Sequence, residues 1–331
     1  MVRIIDVAQK ANVSTATVSR VLANSSIVKE ETKKKVLKAI KELNYQPNVL
    51  ARQLRTLEAK TIIVVVPDIS NPFFSNVLRG IESVAKEKEY LVLLVDADND
   101  VEQESKCLNI LRQKKADGMI LLTAKMDANM LERMAEEYPI VVACEYFEGS
   151  NIPTVSVDNI SGARKATEFL INHGHKRIGT ISGPLDSVLG QDRLKGFCQA
   201  MTIYNLSVDP ILIQKGDFSY ESGLKLTKDL LALNQPPTGI FAANDEMAFG
   251  AINSIKSIGL NVPNDISVVG FDDIKFSSIF EPSLTTISQP AFEIGINAMT
   301  TLLNIINNKD LKERQMVLSG KLRVRNSCAV L

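Results

Sequence analysis

Residues 4–22, IIDVAQKANVSTATVSRVL, decide how the first part of the chain folds. The spacing of their apolar residues predicts two short helices, over 4–11 and 15–22, joined by a turn at 12–14. Ser14 is predicted to cap the second helix. Two short helices joined by such a turn can place the second one, N-terminus first, in a DNA major groove. The stretch therefore predicts a helix-turn-helix head.

A third predicted helix, over 30–43, closes a small apolar core for this head. The residues expected to face that core are apolar and recur at helical spacing: Ile4, Val7, Ala8, Ala11, Val18, Val21, Leu22, Val36, Ile40 and Leu43. The exposed positions of the second helix carry short or basic side chains suited to base edges and phosphates. These positions are Thr15, Ala16, Ser19 and Arg20. A further short helical stretch, opened by Pro47, is predicted to about Arg55.

The charge of the chain is divided unevenly along its length. Residues 1–60 carry twelve Lys and Arg against five Asp and Glu, a balance of +7, whereas the whole chain has 38 of each. Residues 61–331 must then carry a net charge of −7. A basic head on an acidic body is expected when only the head contacts phosphates. Taken alone, the Lys33–Lys35 run is equally typical of a solvated helical surface.

Composition excludes several classes of protein. The 331-residue chain suits a head plus a body of one or two domains, and neither a secretory apolar segment nor a membrane-spanning run is found. The four cysteines lie far apart, which favours reduced thiols and a cytoplasmic location. Two histidines without a third ligand predict no metal site, and no cofactor is expected.

The body alternates strand and helix in two similar sets. The first set has predicted strands over 61–66, 91–95, 119–122 and 140–143, with helices over 72–88, 101–114 and 128–137. The second set has predicted strands over 154–157, 177–181, 211–213, 239–242 and 266–269, with helices over 159–172, 191–204, 220–231 and 246–258. Near-continuous apolar strands predict an α/β body of two lobes, each a parallel sheet flanked by helices.

Polar and aromatic side chains follow these predicted strands, where ligands bind in such sheets. Asn, Asp, Glu and Arg offer paired hydrogen bonds and Phe offers a stacking face, which together suit a polyhydroxylated ligand. Each cluster also has a simpler explanation. Phe73 and Phe74 can anchor a helix, and Asp and Asn often cap helices or form turns.

The chain closely resembles the lactose-repressor (LacI/GalR) family of bacterial transcription regulators along almost its whole length. The motifs that carry the resemblance are residues 6–8 (DVA), 13–22 (VSTATVSRVL), 44–48 (NYQPN), 51–54 (ARQL), 67–74 (PDISNPFF), 174–178 (GHKRI), 244–248 (NDEMA), 262–265 (VPND), 270–273 (GFDD) and 284–290 (LTTISQP). The resemblance implies a body similar to periplasmic sugar-binding proteins. It also implies a homodimer whose paired heads bind a near-palindromic operator.

The resemblance further implies a hinge helix, at about 47–55, that orders on DNA. Its leucine, matching Leu54, would wedge into the minor groove. The implied DNA-binding residues are Thr15, Ala16, Ser19, Arg20, Asn48, Ala51, Leu54 and Arg55. The expected domains are the head at 1–45, the hinge and linker at 46–60 and the body at 61–331. The N-lobe is expected to comprise about 61–158 and 290–319, and the C-lobe about 159–289 and 320–331.

The implied effector pocket is of the ribose-binding type. Its expected residues are Asn71, Phe73, Phe74, Glu145, Tyr146, Arg193, Phe218, Asn244, Asp272 and Gln289. Ribose-responsive members often carry Asp-Arg where this chain has Glu145 and Tyr146, and the Glu-aromatic pair is more similar to the cytidine-responsive (CytR-type) branch. Tyr146 is then predicted to stack on a base. The effector ranking is a nucleoside or ribose-containing ligand, then another pentose or hexose, then a purine base.

We therefore expect a ligand-controlled DNA-binding repressor and not an enzyme. A solute-binding module for a transporter is the alternative from another class, and the basic head together with the missing signal peptide argues against it. An enzyme is a third candidate because the pocket is rich in carboxylates. However, the sequence contains no phosphate-binding lysine loop, nucleophile elbow, dinucleotide fingerprint or zinc-protease motif. No long heptad tail follows 321–331, which favours a dimer over a tetramer.

Overall fold

A computed structural model of the chain describes residues 2–22, 28–45 and 58–331. The chain divides into two compact units, Met1–Ala59 and Lys60–Leu331. Within the described ranges, no helix is both long enough and apolar enough to cross a membrane.

The described part of the first unit contains three helices with the predicted bounds, α1 (Ile4–Ala11), α2 (Thr15–Leu22) and α3 (Glu30–Leu43). Ser14 caps α2 as expected, because its Oγ accepts a hydrogen bond from the Thr17 amide at 3.2 Å. Their apolar faces form one small core of Val7, Ala8, Ala11, Val18, Val21, Val36 and Ala39. The prediction that Leu22 faces this core is wrong. Its side chain lies on the last turn of α2 and is 37% exposed.

The second unit contains two six-stranded sheets. The N-lobe sheet is built from β1 (Thr61–Val66), β2 (Leu91–Asp96), β3 (Gly118–Leu121), β4 (Ile140–Ala143), β5 (Thr154–Val157) and β11 (Gln315–Leu318), in the spatial order β11-β5-β4-β3-β1-β2. The C-lobe sheet is built from β6 (Ile178–Ser182), β7 (Ile213–Lys215), β8 (Gly239–Ala242), β9 (Ser267–Asp272), β10 (Thr285–Ser288) and β12 (Lys321–Arg323), in the order β12-β10-β9-β8-β6-β7. All pairings are parallel except that of β10 with β12.

Helices cover both faces of each sheet, because the central strands are apolar on both sides. On the N-lobe, α4 (Phe73–Glu87) and α11 (Ala291–Ile306) pack on one face, and α5 (Val101–Arg112) and α6 (Ala128–Glu137) pack on the other. On the C-lobe, α7 (Asn159–Asn172) and α8 (Val188–Ile203) lie opposite α9 (Tyr220–Leu231) and α10 (Asp245–Ser257). Gly80 and Gly295 let α4 and α11 approach closely, since a Cβ on either would overlap the backbone of the other helix.

The chain passes between the lobes three times: after β5, after β10 and between β11 and β12. Parallel strands in each sheet direct their carboxyl ends to one edge, so the loops that follow them gather around a cleft between the lobes. This arrangement brings together side chains that are far apart in sequence.

Candidate functional site

A cavity of about 900 Å³ lies between the lobes, and the loops at the carboxyl ends of strands line it. Its volume is typical of small-molecule sites. The lining includes nine of the ten residues predicted for the effector site, namely Asn71, Phe73, Phe74, Glu145, Arg193, Phe218, Asn244, Asp272 and Gln289. The structure therefore brings these predicted residues to one place.

Arg193 is the central charged group of the C-lobe wall. It projects from α8 and is only 4% exposed. Its guanidinium donates to Asn159 Oδ1 at 2.9 Å and to Asp272 Oδ1 at 3.3 Å, and also to the Ala243 carbonyl. The guanidinium carbon lies 3.9 Å from the centroid of the Phe271 ring. A buried cation needs such partners, and with them it presents a fixed geometry to a ligand.

Asp272 ends β9 beside this arginine. Gln289 Nε2 donates to the same Asp272 oxygen, Oδ1, at 2.6 Å. Burial raises the pKa of the Asp272 carboxyl, and the nearby Arg193 charge opposes that rise. Behind this pair, the fully buried Asp245 carboxyl accepts hydrogen bonds from the Ile274 amide and from the Ser277 and Thr286 hydroxyls. Asp272 thus joins Arg193 and Gln289 in one polar network, and Asp245 holds a second set of buried hydrogen bonds.

Four non-glycine residues on the cavity wall have a positive φ: Asn99 (54°), Cys144 (71°), Phe218 (72°) and Asp272 (119°). Such backbone conformations cost on the order of 1–3 kcal/mol each and tend to cluster where a protein binds ligands. Each of these residues directly ends or closely follows a strand. The surrounding contacts hold them, for example the Asn244 side-chain amide, which donates to the Phe218 carbonyl at 2.8 Å.

On the N-lobe wall, the loop after β1 is held by local bonds. Asn71 Oδ1 accepts the Phe73 amide at 2.9 Å, in a turn just before α4. The rings of Phe73 and Phe74 meet edge-to-face with centroids 5.4 Å apart, and both residues line the cavity. Asp68 accepts hydrogen bonds from both the amide and the hydroxyl of Ser70, two residues later. The aromatic pair starts a helix and also lines the cavity, and its role in stacking on a ligand stays a prediction.

Glu145 is a buried carboxyl on the same wall, 8% exposed. Burial raises its pKa to about 7. The hydrogen bond that it accepts from the Ala124 amide at 3.2 Å lowers the pKa and so limits this rise. A second buried carboxylate, Glu104 on α5, accepts the next two amides of the loop, those of Lys125 and Met126, at 3.0 Å. The loop after β3 is therefore fixed by two acidic side chains.

Tyr146 is the predicted site residue that the described cavity lining does not include. Its hydroxyl donates to Asp192 Oδ2 at 2.9 Å, which joins the N-lobe loop after β4 to α8 of the C-lobe. A phenol that is partly buried needs such a polar partner, and Asp192 provides it. Stacking of a base on Tyr146 stays a prediction.

The structure adds lining residues that sequence reasoning did not single out. Among them are Asn99, Thr123, Lys125, Asp186, Glu221 and Glu246. The rule that ligands meet the carboxyl ends of strands finds the first four, because they follow β2, β3 and β6. Glu221 and Glu246 lie in the first turns of helices whose orientation depends on packing.

The predicted DNA-binding residues lie on α2 and in the hinge. Thr15, Ala16 and Arg20 are exposed on α2, and Ser19 is half-buried. They lie on the first turns and outer face of a helix whose inner face packs in the core. Asn48, Ala51, Leu54 and Arg55 lie outside the described residues, as does the whole predicted hinge stretch 47–55.

Chemically, the cavity offers fixed donors, acceptors and aromatic faces. Within the described ranges, no group of three His, Cys, Asp or Glu residues is arranged to hold a metal ion, and all four cysteines are free thiols. Burial raises the pKa of the Cys144 thiol, the one that lines the cavity. Such a thiol is a poor nucleophile, so the arrangement is suited to binding.

The sequence matches two family models that together cover most of the chain. Residues 3–48 match the bacterial regulatory proteins of the lacI family, and residues 59–324 match the periplasmic binding proteins and sugar-binding domain of the LacI family. The chain is 42% identical over 328 residues to the HTH-type transcriptional repressor CytR of Escherichia coli (strain K12), a match covering 98% of this chain and 96% of that protein.

Solved structures agree with these matches. The Lac repressor dimer bound to operator and the anti-inducer ONPF is 31% identical, with a TM-score of 0.90 over 99% of each chain. A LacI family regulator from Enterococcus faecium with bound ribose is 31% identical, with a TM-score of 0.74 over 82% of this chain and 99% of that one. The predicted fold class is confirmed, and so is the prediction that the chain is not an enzyme, because these relatives are regulators. The chain belongs to the LacI family of ligand-responsive, DNA-binding transcriptional regulators.

Proposed function

We propose that this protein is a cytoplasmic repressor that binds a near-palindromic operator as a homodimer and responds to a ribose-containing effector, with a nucleoside ranked first. The observation that carries the proposal is the cavity of about 900 Å³. It combines the Arg193–Asp272–Gln289 network with three phenylalanine rings. Fixed bidentate groups suit vicinal hydroxyls, and aromatic faces suit the apolar side of a sugar ring or a base.

The domain boundaries form part of the proposal. A head at 1–45 would bind DNA, and the hinge and linker at 46–60 would transmit the state of the body. In the body, the N-lobe would comprise about 61–158 and 290–319, and the C-lobe about 159–289 and 320–331. The sheet membership of β11 and β12, which end in different lobes, supports the division near residue 319.

Self-association is supported by an exposed apolar edge. Strand β2 is the outermost strand of the N-lobe sheet, and it exposes Leu91, Leu93 and Leu94 by 65%, 42% and 38%. Edge strands with exposed apolar residues promote aggregation unless another surface covers them. The solved Lac repressor structure is that of a dimer. A second copy of this chain packed against β2 would cover this edge. A second copy of the chain is the proposed partner.

The proposed mechanism is a shift between two lobe arrangements. An effector changes DNA binding only by its difference in affinity for the two arrangements. Contact of one ligand with both walls of the cavity gives that difference. The change would pass through the N-lobe to the hinge residues, where Leu54 is the proposed minor-groove wedge.

The test is selection of operator DNA from random sequence, followed by gel shifts at two salt concentrations with and without ribonucleosides and free sugars. We expect affinity to fall steeply with salt and to change with one ribose-containing ligand. An Arg20→Ala variant is expected to bind about 10- to 100-fold more weakly, while a Lys41→Ala variant on α3 serves as a control for the loss of one exposed charge. An operator affinity that changes with neither the salt concentration nor any of the ligands would contradict the proposal.

A further inference from the structure

The cavity wall carries a strong excess of negative charge. Seven carboxyl groups line it, against two cations, Lys125 and Arg193. The seven are Asp68, Glu145, Asp186, Asp217, Glu221, Glu246 and Asp272. They come from both lobes, so the negative field extends across the cleft and not along one face.

One of the two cations is already engaged. Arg193 is buried and donates to Asn159, Ala243 and Asp272. Lys125 is exposed, and its charge acts at a distance on the carboxyls of Glu145 and Glu104. Arg193 could not neutralise a phosphate without losing the partners it has, and Lys125 alone leaves the seven carboxyls in excess.

The helix N-termini at the cavity are partly occupied. Helix starts bind phosphates through their free amides. Here a side chain of the protein accepts one amide at each of three helix starts: Ser187 for α8, Ser219 for α9 and Asn244 for α10. Each such cap removes one of the amides that a phosphate would otherwise contact.

The existing negative charge already perturbs the carboxyls. Burial, followed by the charges of Asp68, Asp272 and Glu221, raises the pKa of Glu246 to about 7. A phosphate monoester would add a charge of about −1.5 to −2 at neutral pH. Binding it would require either proton uptake by the wall or repulsion between like charges.

We propose that this cavity selects unphosphorylated effectors, accepting a neutral nucleoside or free sugar and rejecting its phosphate ester. The inference rests on the proposed effector class and narrows it. It assigns a selective function to carboxyls outside the predicted hydroxyl-binding set, chiefly Asp68 and Glu246. In a cell, the regulator would then respond to a nucleoside or sugar without responding to the corresponding phosphates.

The test is isothermal titration of the full chain with each ribonucleoside and its 5′-monophosphate, and with ribose and ribose 5-phosphate. We expect each phosphate ester to bind at least about 30-fold more weakly than its parent. A nucleoside bearing an uncharged 5′-sulfamoyl group, similar in size to phosphate, separates charge from size. It is expected to bind within about threefold of the parent if charge decides.

Variants make the test specific to these residues. Asp68→Asn and Glu246→Gln should each reduce the ratio of the affinity for the unphosphorylated ligand to the affinity for its phosphate ester. Asp229→Asn, an exposed position on α9 outside the cavity lining, should leave the ratio unchanged. Equal binding of phosphate esters, or a ratio that neither variant alters, would overturn the inference and leave the proposed function standing. Absence of binding by every unphosphorylated ligand would overturn both.

Discussion

The Arg193 network of the C-lobe wall and the loop after β1 on the N-lobe wall are held in different ways. On the C-lobe wall, Arg193, Asp272 and Gln289 bond to one another over 17 to 79 residues of sequence. On the N-lobe wall, Asn71 and Asp68 each bond to the backbone of a residue two positions later. A long-range network keeps its shape only if every member is present, whereas local turns form independently. The comparison therefore predicts larger losses from substitutions on the C-lobe wall.

The largest effect is expected from Asp272→Ala. This change leaves the buried Arg193 guanidinium without its carboxylate, and it frees Gln289 from the position it holds. We expect effector affinity to fall by about 100-fold or more, because the ligand loses a charged hydrogen-bond acceptor and Arg193 and Gln289 lose the positions that Asp272 fixes. Titration calorimetry measures the loss, and a gel shift with operator checks that the head still binds DNA. Retention of effector affinity within threefold would remove Asp272 from the site.

Asp245→Ala tests whether the network behind the C-lobe wall is structural. The substitution removes the acceptor of three buried donors: the Ile274 amide and the Ser277 and Thr286 hydroxyls. We expect the free energy of unfolding to fall by about 3 kcal/mol, measured by urea denaturation. The control Asp229→Ala lies on exposed α9 and should change it by less than about 0.5 kcal/mol. Equal effects of the two changes would refute the account of this network.

Asn71→Ala is the matched substitution on the N-lobe wall. It removes one local hydrogen bond worth about 1 kcal/mol and one potential ligand contact. We expect an approximately tenfold loss of effector affinity, clearly smaller than that of Asp272→Ala, with the fold retained. Calorimetry on the two variants side by side decides the order. A larger loss for Asn71→Ala would reverse the comparison between the walls.

Tyr146 lies where the two walls meet. Removal of its hydroxyl in Tyr146→Phe breaks the bond to Asp192, and we expect a loss of stability of about 1 kcal/mol with little change in ribose affinity. Tyr146→Ala also removes the ring. If the ring stacks on a base, that variant should lose affinity for nucleosides but not for ribose. Parallel losses for both ligands would argue against stacking.

The smallest effect is expected from Glu246→Gln, which changes how the stability of the folded protein depends on pH. Its pKa is raised from 4.5 to about 7 in the folded protein. Between these pH values the folded form holds a proton that the unfolded chain has released, so the stability contributed by this group falls as pH rises. Glu246→Gln should therefore gain melting temperature relative to the parent between about pH 5 and pH 8. A difference that does not change with pH would show that Glu246 is not perturbed as described.

Most secondary structure follows from local pattern, as the predicted helix over 128–137 and strand over 239–242 illustrate. Helix α11 was not among the predicted helices, although its buried residues recur at helical spacing: Ala291, Ile294, Gly295, Ala298, Met299, Leu302 and Leu303. Strands β10, β11 and β12 were missed as well. They have three or four residues each, and their pairing, such as Gln315 with Thr154, depends on chain segments distant in sequence.

The candidate site divides in the same way. The loops after strands were predictable because a parallel sheet gathers them at one edge. The direction of a side chain was not predictable. The Tyr146 hydroxyl bonds to Asp192, which lies on the other lobe. Likewise, α8 begins at Val188, earlier than the expected residue 191, because Ser187 caps it. Tertiary partners decide such details, and local sequence does not contain them.

The most direct test of the central claim is calorimetric titration of the full-length protein with ribonucleosides and ribose, alongside the Asp272→Ala variant. The account predicts that at least one ribose-containing ligand binds the parent protein, that the variant loses this binding, and that the same ligand changes operator affinity of the parent alone. Binding that survives in Asp272→Ala, or a bound ligand that leaves operator affinity unchanged in the parent, would contradict it.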